Sequence, residues 1–124
     1  MGEPVENNLK VVPLDIEIVR DRYAKERGPS MLLEISCSQC KTPIMIYQKD
    51  GEGRLLRTYL DRIRYPEKLV EEVSNTNFNN KNAKMNLACP NCHQVIGVPM
   101  IYEREKRPAF RMLHGTFSKM KYKR

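Results

Sequence analysis

The chain has 124 residues, about the size of one domain, with 30% charged residues and a net charge of +7. No apolar run approaches the roughly 18 residues that a membrane-spanning helix needs, so we expect no membrane association. The first eight residues are acidic and polar, which argues against a secretory signal and predicts a cytoplasmic protein with reduced thiols.

The hydrophobic pattern of the first 30 residues is compatible with either a strand or a helix. Residues 1–8 are predicted to be disordered. Imperfect alternation over Leu9–Val19 favours a strand, which Pro13 would confine to a sheet edge, whereas Ile18–Arg27 fits a short helix equally well. The predicted divisions are an N-terminal extension at 1–30, a zinc-binding β domain at 31–119 and a basic C-terminal tail at 120–124.

The β domain is predicted to begin with three strands. Met31–Ser36 is followed by Ile44–Gln48, and a turn at Lys49–Gly53 would return the chain along Arg54–Ile63 as a hairpin. The later elements are a short helix at Pro66–Val73, a loop at Ser74–Lys84 and strands at Met85–Ala88, Val95–Tyr102 and Arg111–Lys119. The expected fold class is therefore mainly β: a small antiparallel domain with one short helix.

All four cysteines lie in two Cys-x-x-Cys pairs, Cys37 with Cys40 and Cys89 with Cys92. A tight turn of this spacing lets two thiolates converge on one metal, and two such turns complete a tetrahedron with Zn–S distances of about 2.3 Å. Because no cysteine is left over, the site would be closed to substrate and the metal would contribute folding energy. We predict one structural Zn²⁺.

Other uses of the two pairs explain less of the sequence. Disulfides need an oxidising compartment, and a thioredoxin-like redox pair would leave the second motif idle. The run Cys89–His93 matches covalent haem attachment, which would leave Cys37 and Cys40 without a role. An iron–sulfur cluster also takes four cysteines and stays open as a redox alternative. Lys41 and His93, directly after the pairs, would either soften the thiolate charge or be exposed turn residues.

The spacing and a few flanking residues are typical of a known group. The 48 residues from Lys41 to Ala88 exceed the roughly 15–20 of a simple zinc ribbon. The segments carrying a likeness are Asp50–Leu60 with its glycine-containing turn, Cys92–Gly97, Tyr102-Glu103 and Gly115–Phe117. In these features residues 33–119 resemble Yippee-like proteins of the β-tent group, which also includes the ligand-binding domain of cereblon and methionine-R-sulfoxide reductases. The resemblance implies a β fold with two zinc knuckles.

Differences from these proteins argue against a small-molecule ligand and against catalysis. The Yippee Gly-Trp is Gly97-Val98 here and the chain has no tryptophan, so we expect no cereblon-like cage for a small-molecule ligand. A sulfoxide reductase would need a cysteine beyond its zinc ligands, and no nucleophile elbow, phosphate loop or metalloprotease helix is present. We expect a non-enzymatic interaction module that binds an unidentified protein partner.

RNA or ribosome association is the alternative. From Glu103 to Arg124 the chain has eight Lys/Arg against two Asp/Glu, an excess that attracts polyanions. On a strand Arg57 and Tyr59 share one face, as a stacking and phosphate-binding surface requires. Arg62 and Arg64 would fall on the other face. The candidate nucleic-acid contacts are Arg54, Arg57, Lys119, Lys121, Lys123 and Arg124.

Overall fold

The computed structural model describes residues 16–76 and 85–122 as two packed antiparallel sheets. In chain order the elements are α1 (Arg22–Arg27), β1 (Ser30–Cys37), β2 (Pro43–Asp50), β3 (Arg57–Tyr59), a 3₁₀ turn (Leu60–Arg62), β4 (Ile63–Tyr65), α2 (Glu67–Asn75), β5 (Leu87–Ala88), β6 (Val95–Tyr102), β7 (Arg107–Met112) and β8 (Phe117–Lys121). Sheet A has the order β4-β2-β1-β8 and sheet B the order β3-β7-β6-β5. The expected mainly β, antiparallel fold class is confirmed.

The core lies between the two sheets, because each sheet turns an apolar face towards the other. Alternate residues of β1 from Leu33 to Cys37 are buried in this layer, as period-2 alternation dictates. From sheet B, Phe110 is fully buried against them. Tyr47 of β2 links the layers directly, since its hydroxyl accepts the backbone N–H of Tyr59 at 2.8 Å.

The outer face of sheet A is covered by the segment that precedes α1. Ile16 packs against the buried Ile46 of β2. The fully buried Gln48 amide accepts the Val19 N–H at 2.7 Å and donates to the Val19 carbonyl at 2.9 Å. A side-chain amide thereby takes the place of a neighbouring strand, so this segment is part of the folded body.

The short helix was one of two sequence-based interpretations of the N-terminal region. Residues 22–27 are helical, and the Asp21 carboxylate caps them by accepting the N–H groups of Tyr23 and Ala24 at 3.0 and 3.2 Å. The described residues before Asp21 form no strand, and most of the alternative, Leu9–Val19, lies outside the described residues.

The predicted hairpin of Ile44–Gln48 with Arg54–Ile63 is wrong. β3 pairs with β7 in sheet B, and only β4 returns beside β2. The cause lies at Gly51, which takes a left-handed φ of 88° and donates its N–H to the Pro29 carbonyl at 2.8 Å. The chain is thus held against the start of β1 and crosses to the other sheet instead of turning back.

The predicted last strand, Arg111–Lys119, is also wrong, because it joins parts of two strands in different sheets. β7 ends at Met112, and β8 pairs with β1 in sheet A. Between them the N–H and hydroxyl of Thr116 both donate to the Leu113 carbonyl, at 3.2 and 2.6 Å, and Gly115 has a φ of 85°. This tight turn moves the chain from sheet B to sheet A.

The predicted helix after Pro66 is present as α2, which buries Val73 against the core. It continues through Asn75, so the predicted loop Ser74–Lys84 begins later than expected. Residues 77–84 of that loop lie outside the described residues.

A buried arginine lies in the segment that connects the two sheets, at the end of β1 opposite Cys37. Arg62 lies where the chain passes from β3 to β4, and its side chain is 1% exposed. Its guanidinium donates to Asp50 at 2.8 Å and to Asp21 at 2.6 Å. Asp50 also accepts bonds from Ser30 and Gln48, at 2.6 and 2.8 Å. The buried charges are thus matched by opposite charge and by hydrogen bonds.

The network extends to a second guanidinium held between two aromatic rings. Arg107 of β7 donates to Asp61 at 2.7 Å and to Glu105 at 3.1 Å. Its guanidinium carbon lies 3.8 Å from the Tyr59 ring centroid and 4.1 Å from that of Tyr23. Because Tyr23 belongs to α1, this cation–π stack ties the helix to sheet B.

We expect Arg62→Met to lower the free energy of unfolding by about 3–5 kcal/mol, because it leaves Asp50 buried without its cation. Denaturant titration of the metal-loaded protein measures this change. Arg54→Met is the matched control: Arg54 is exposed and has no ion pair within the described residues, so a change below about 0.5 kcal/mol is expected. Equal effects of the two substitutions would contradict a structural role for the Arg62 network.

The network should stay ionised in mild acid. The hydrogen bond from Arg62, with the two helix-capping bonds, lowers the pKa of Asp21 from 3.8 to about 2. A lowered folded-state pKa gives stability that is complete above the unfolded value and lost as pH falls towards about 2. We therefore expect the difference in melting temperature between the natural protein and Asp21→Asn to stay constant from about pH 8 to about pH 5. A difference that vanishes at pH 5 would show that Asp21 titrates far higher.

Candidate metal centre

The four cysteines meet at one end of the two-sheet structure. The first pair lies between β1 and β2 of sheet A, and the second between β5 and β6 of sheet B. Cys37 and Cys89 are buried, Cys40 and Cys92 are partly exposed, and all four are free thiols. An ion shared by the two pairs would therefore link the two sheets.

The sulfur positions suit one tetrahedral ion. All four Sγ atoms lie within 4.8 Å of one another. The Sγ atoms of Cys37 and Cys92 are 3.6 Å apart, and those of Cys40 and Cys89 are 3.5 Å apart. A tetrahedron with metal–sulfur distances of about 2.3 Å has sulfur–sulfur edges of about 3.8 Å. The donor set and its size therefore fit a single metal ion.

The two pairs have the same backbone geometry. In the first, the Lys41 N–H donates to the Cys37 carbonyl at 2.9 Å, and the Cys37 N–H donates to the Thr42 carbonyl at 2.9 Å. The second pair repeats both bonds at equivalent positions, at 2.9 and 2.8 Å, with His93 in the place of Lys41. Both residues take the left-handed conformation, with φ of 68° and 70°. These turns are formed by the protein backbone itself and point two thiols at one place.

Hydrogen-bond donors surround the sulfur atoms. The Sγ of Cys89 lies 3.4 Å from the Asn91 N and 3.5 Å from the Cys92 N, which both donate to it. The side-chain amide of Gln94 donates to the Sγ of Cys37 at 3.7 Å. Such donors stabilise negative charge on sulfur, as a metal-bound thiolate requires.

The pKa values of Cys40 and Cys92 are shifted in opposite directions. The hydrogen bond between Cys40 and the Thr42 hydroxyl, with a second from the Asn91 side chain, lowers the pKa of Cys40 to about 5. A backbone hydrogen bond from Gln94 lowers the pKa of Cys92, but burial and the neighbouring thiols outweigh it and raise this pKa to about 12. The cluster therefore favours a thiolate at Cys40 and opposes one at Cys92, and a divalent cation would remove that opposition.

Some of the candidate nucleic-acid contacts are close together. Arg54 and Arg57 line one cavity, and Arg54 and Lys119 line a neighbouring one. Lys121 is exposed at the end of the edge strand β8. Lys123 and Arg124 lie outside the described residues.

Comparison of the chain with protein-family models, with curated proteins and with solved structures finds no match. Within residues 16–76 and 85–122, no helix is long and apolar enough to cross a membrane. Fold and site together define a small protein of two antiparallel sheets whose four cysteines can hold a metal ion between them.

The exposed Lys41 allows backbone and charge effects to be separated. Left-handed backbone costs a residue with a Cβ about 1–2 kcal/mol, which glycine avoids. We expect Lys41→Gly to be more stable than Lys41→Met by about 1 kcal/mol in denaturant titration, since both lose the ammonium and only one relieves the strain. Equal stability of the two variants, both below the natural protein, would instead show that the positive charge near the sulfurs is what matters.

Proposed function

We propose that the protein is a non-catalytic binding module whose sheets are held together by one structural Zn²⁺ on Cys37, Cys40, Cys89 and Cys92. One observation carries the proposal: two Cys-x-x-Cys turns from different sheets bring four Sγ atoms within 4.8 Å. A four-sulfur site has no open coordination position, so its metal acts on folding rather than on a substrate. The chain has four cysteines in all, and none remains as a nucleophile.

The short distances between the cysteine sulfur atoms favour a single ion over an iron–sulfur cluster. A cluster places several irons and sulfides among its cysteine ligands and spreads their sulfurs more widely than one ion does. Here two pairs of Sγ atoms are only 3.5 and 3.6 Å apart. Among single ions, Zn²⁺ is the usual occupant of four-thiolate structural sites. Thiolate ligation of this kind suits the reducing cytoplasm, which we propose as the location.

A relationship to Yippee-like β-tent proteins is part of the same proposal. One knuckle in each of two sheets supports it. Gly97 also supports it, because this glycine belongs to the Cys92–Gly97 segment that resembles Yippee-like proteins. A Cβ at Gly97 would lie 3.1 Å from the Cβ of Phe110 and 3.4 Å from that of Leu87, so glycine lets β5, β6 and β7 pack closely. A rigid scaffold with a closed metal site is suited to presenting a surface to a partner.

Metal analysis of natively purified protein tests the central claim. We expect one zinc per chain, no iron and no visible absorbance. Chelation should abolish the cooperative melt, because metal binding and folding are coupled in such sites. Iron with visible absorbance, or metal-free protein that melts unchanged, would overturn the proposal and favour redox chemistry.

Substitution of one proposed zinc ligand, beside a matched control, tests whether stability depends on the metal site. Cys92→Ser removes one ligand, and we expect loss of zinc and of cooperative thermal unfolding. Gln39→Ser changes an exposed residue within the first knuckle that offers no sulfur, and it should alter stability by less than about 0.5 kcal/mol. A Cys92→Ser protein that melts normally would contradict a structural metal.

A further inference from the structure

A cleft beside the charged network lies where the loop after β2 approaches the β6–β7 hairpin. Its volume is about 360 Å³, at the small end of the range of about 300–1,000 Å³ that is usual for ligand pockets. Tyr47, Tyr59 and Tyr102 contribute its aromatic lining. A compact ligand with a flat ring would fit this space better than an extended chain would.

Basic residues outnumber acidic ones around the cleft. The lining includes five cations and two carboxylates: Arg27, Lys49, Arg54, Arg57 and Arg104 with Asp50 and Glu52. Arg27 is neutralised by an ion pair with Glu105, and Asp50 is already engaged by Arg62. The other four cations make no ion pair with the residues that the structure describes. The cleft therefore carries an uncompensated positive charge.

The cations in and near the cleft repel one another. Arg57 and Arg111 lie directly opposite each other in the β3–β7 pairing, where like charges are destabilising. Burial lowers the pKa of Lys49, and the positive charge of Lys119 lowers it further. A concave surface with such a field raises the local concentration of anions.

One arginine is already oriented for binding. The guanidinium carbon of Arg57 lies 3.9 Å from the Tyr102 ring centroid, and its Nε donates to the Tyr59 hydroxyl at 2.8 Å. Its two terminal nitrogens have no hydrogen-bond partner among the described residues. Beside it Leu56 is 55% exposed. An ordered guanidinium plane can stack on a base while its outer N–H groups reach phosphate, and little ordering entropy remains to be lost.

We propose that this cleft binds a nucleotide, with its base against the Arg57–Tyr102 stack and its phosphate near Arg54 and Arg104. The nucleotide is either free or one unit of an RNA strand, since both present the same base and phosphate. The inference rests on the proposed binding module and names its ligand class.

Binding should be measured with the zinc-loaded full chain at fixed salt. The probes are a fluorescent oligouridylate of about ten nucleotides, followed by anisotropy, and ATP as competitor. Arg54→Gln/Arg104→Gln removes two exposed charges of the cleft, and Lys25→Gln/Lys68→Gln removes two exposed charges elsewhere. We expect a loss of affinity of about tenfold or more for the first double variant and of less than about threefold for the second.

The competition experiment distinguishes a free nucleotide from an RNA strand, and both from an acidic peptide. Displacement of the oligonucleotide by ATP identifies a free-nucleotide site, and binding that ATP does not displace identifies an RNA strand. No binding of either probe, equal losses in both variants, or equally tight competition by a glutamate-rich peptide would overturn the proposal. Zinc content and melting temperature are recorded for every variant. A failure to bind with zinc retained refutes the nucleotide site alone, whereas loss of zinc from the natural protein refutes the module.

Discussion

The fold depends on linking two small sheets at both of their ends. At one end of β1, Cys37 belongs to the sulfur cluster. At the other end, Ser30 bonds to the Asp50 that pairs with Arg62, and the network reaches sheet B through Asp61 and Arg107. These ends are about 23 Å apart for a strand of eight residues. A domain of this size has a modest core, so links between the layers contribute a large share of its marginal stability.

The two links have different chemistry and therefore respond to different conditions. A metal link through the sulfur cluster would depend on the supply of metal, on reducing conditions and on deprotonated thiols. The arginine network depends on none of these, since the pKa of Asp21 is lowered to about 2. The pKa of Asp50 is also lowered, because burial, which would raise it, is outweighed by hydrogen bonds from Ser30, Gln48 and Arg62. Asp50, which pairs with Arg62, also lies in the wall of the basic cleft. Loss of metal would thus act on the cleft only through the packing of the sheets.

Local patterns predicted part of this structure and missed the part that depends on distant residues. The candidate metal ligands follow from the Cys-x-x-Cys spacing, and the structure brings their sulfurs together. The bounds of Val95–Tyr102 coincide with those of β6, because a long apolar run is a strong strand signal. Strands of three residues, such as β3 and β4, have too little periodicity to separate. The burial of Arg62 could not be predicted, because an arginine on a strand normally lies exposed and its partner Asp21 is 41 residues away. The basic cleft likewise appears only once the β6–β7 hairpin faces the loop after β2.

The order of strands has a consequence for the chain as it is made. β7 lies between β3 and β6, and β8 completes sheet A against β1, so neither sheet is finished until residues 107–121 exist. Until then β3 has no neighbour and the edge of β1 is open. Unpaired strand edges on a growing chain attract other chains and are bound by chaperones. The second cysteine pair precedes β7 in the chain, so a metal ion bound before β7 and β8 have paired would hold the two unfinished sheets together.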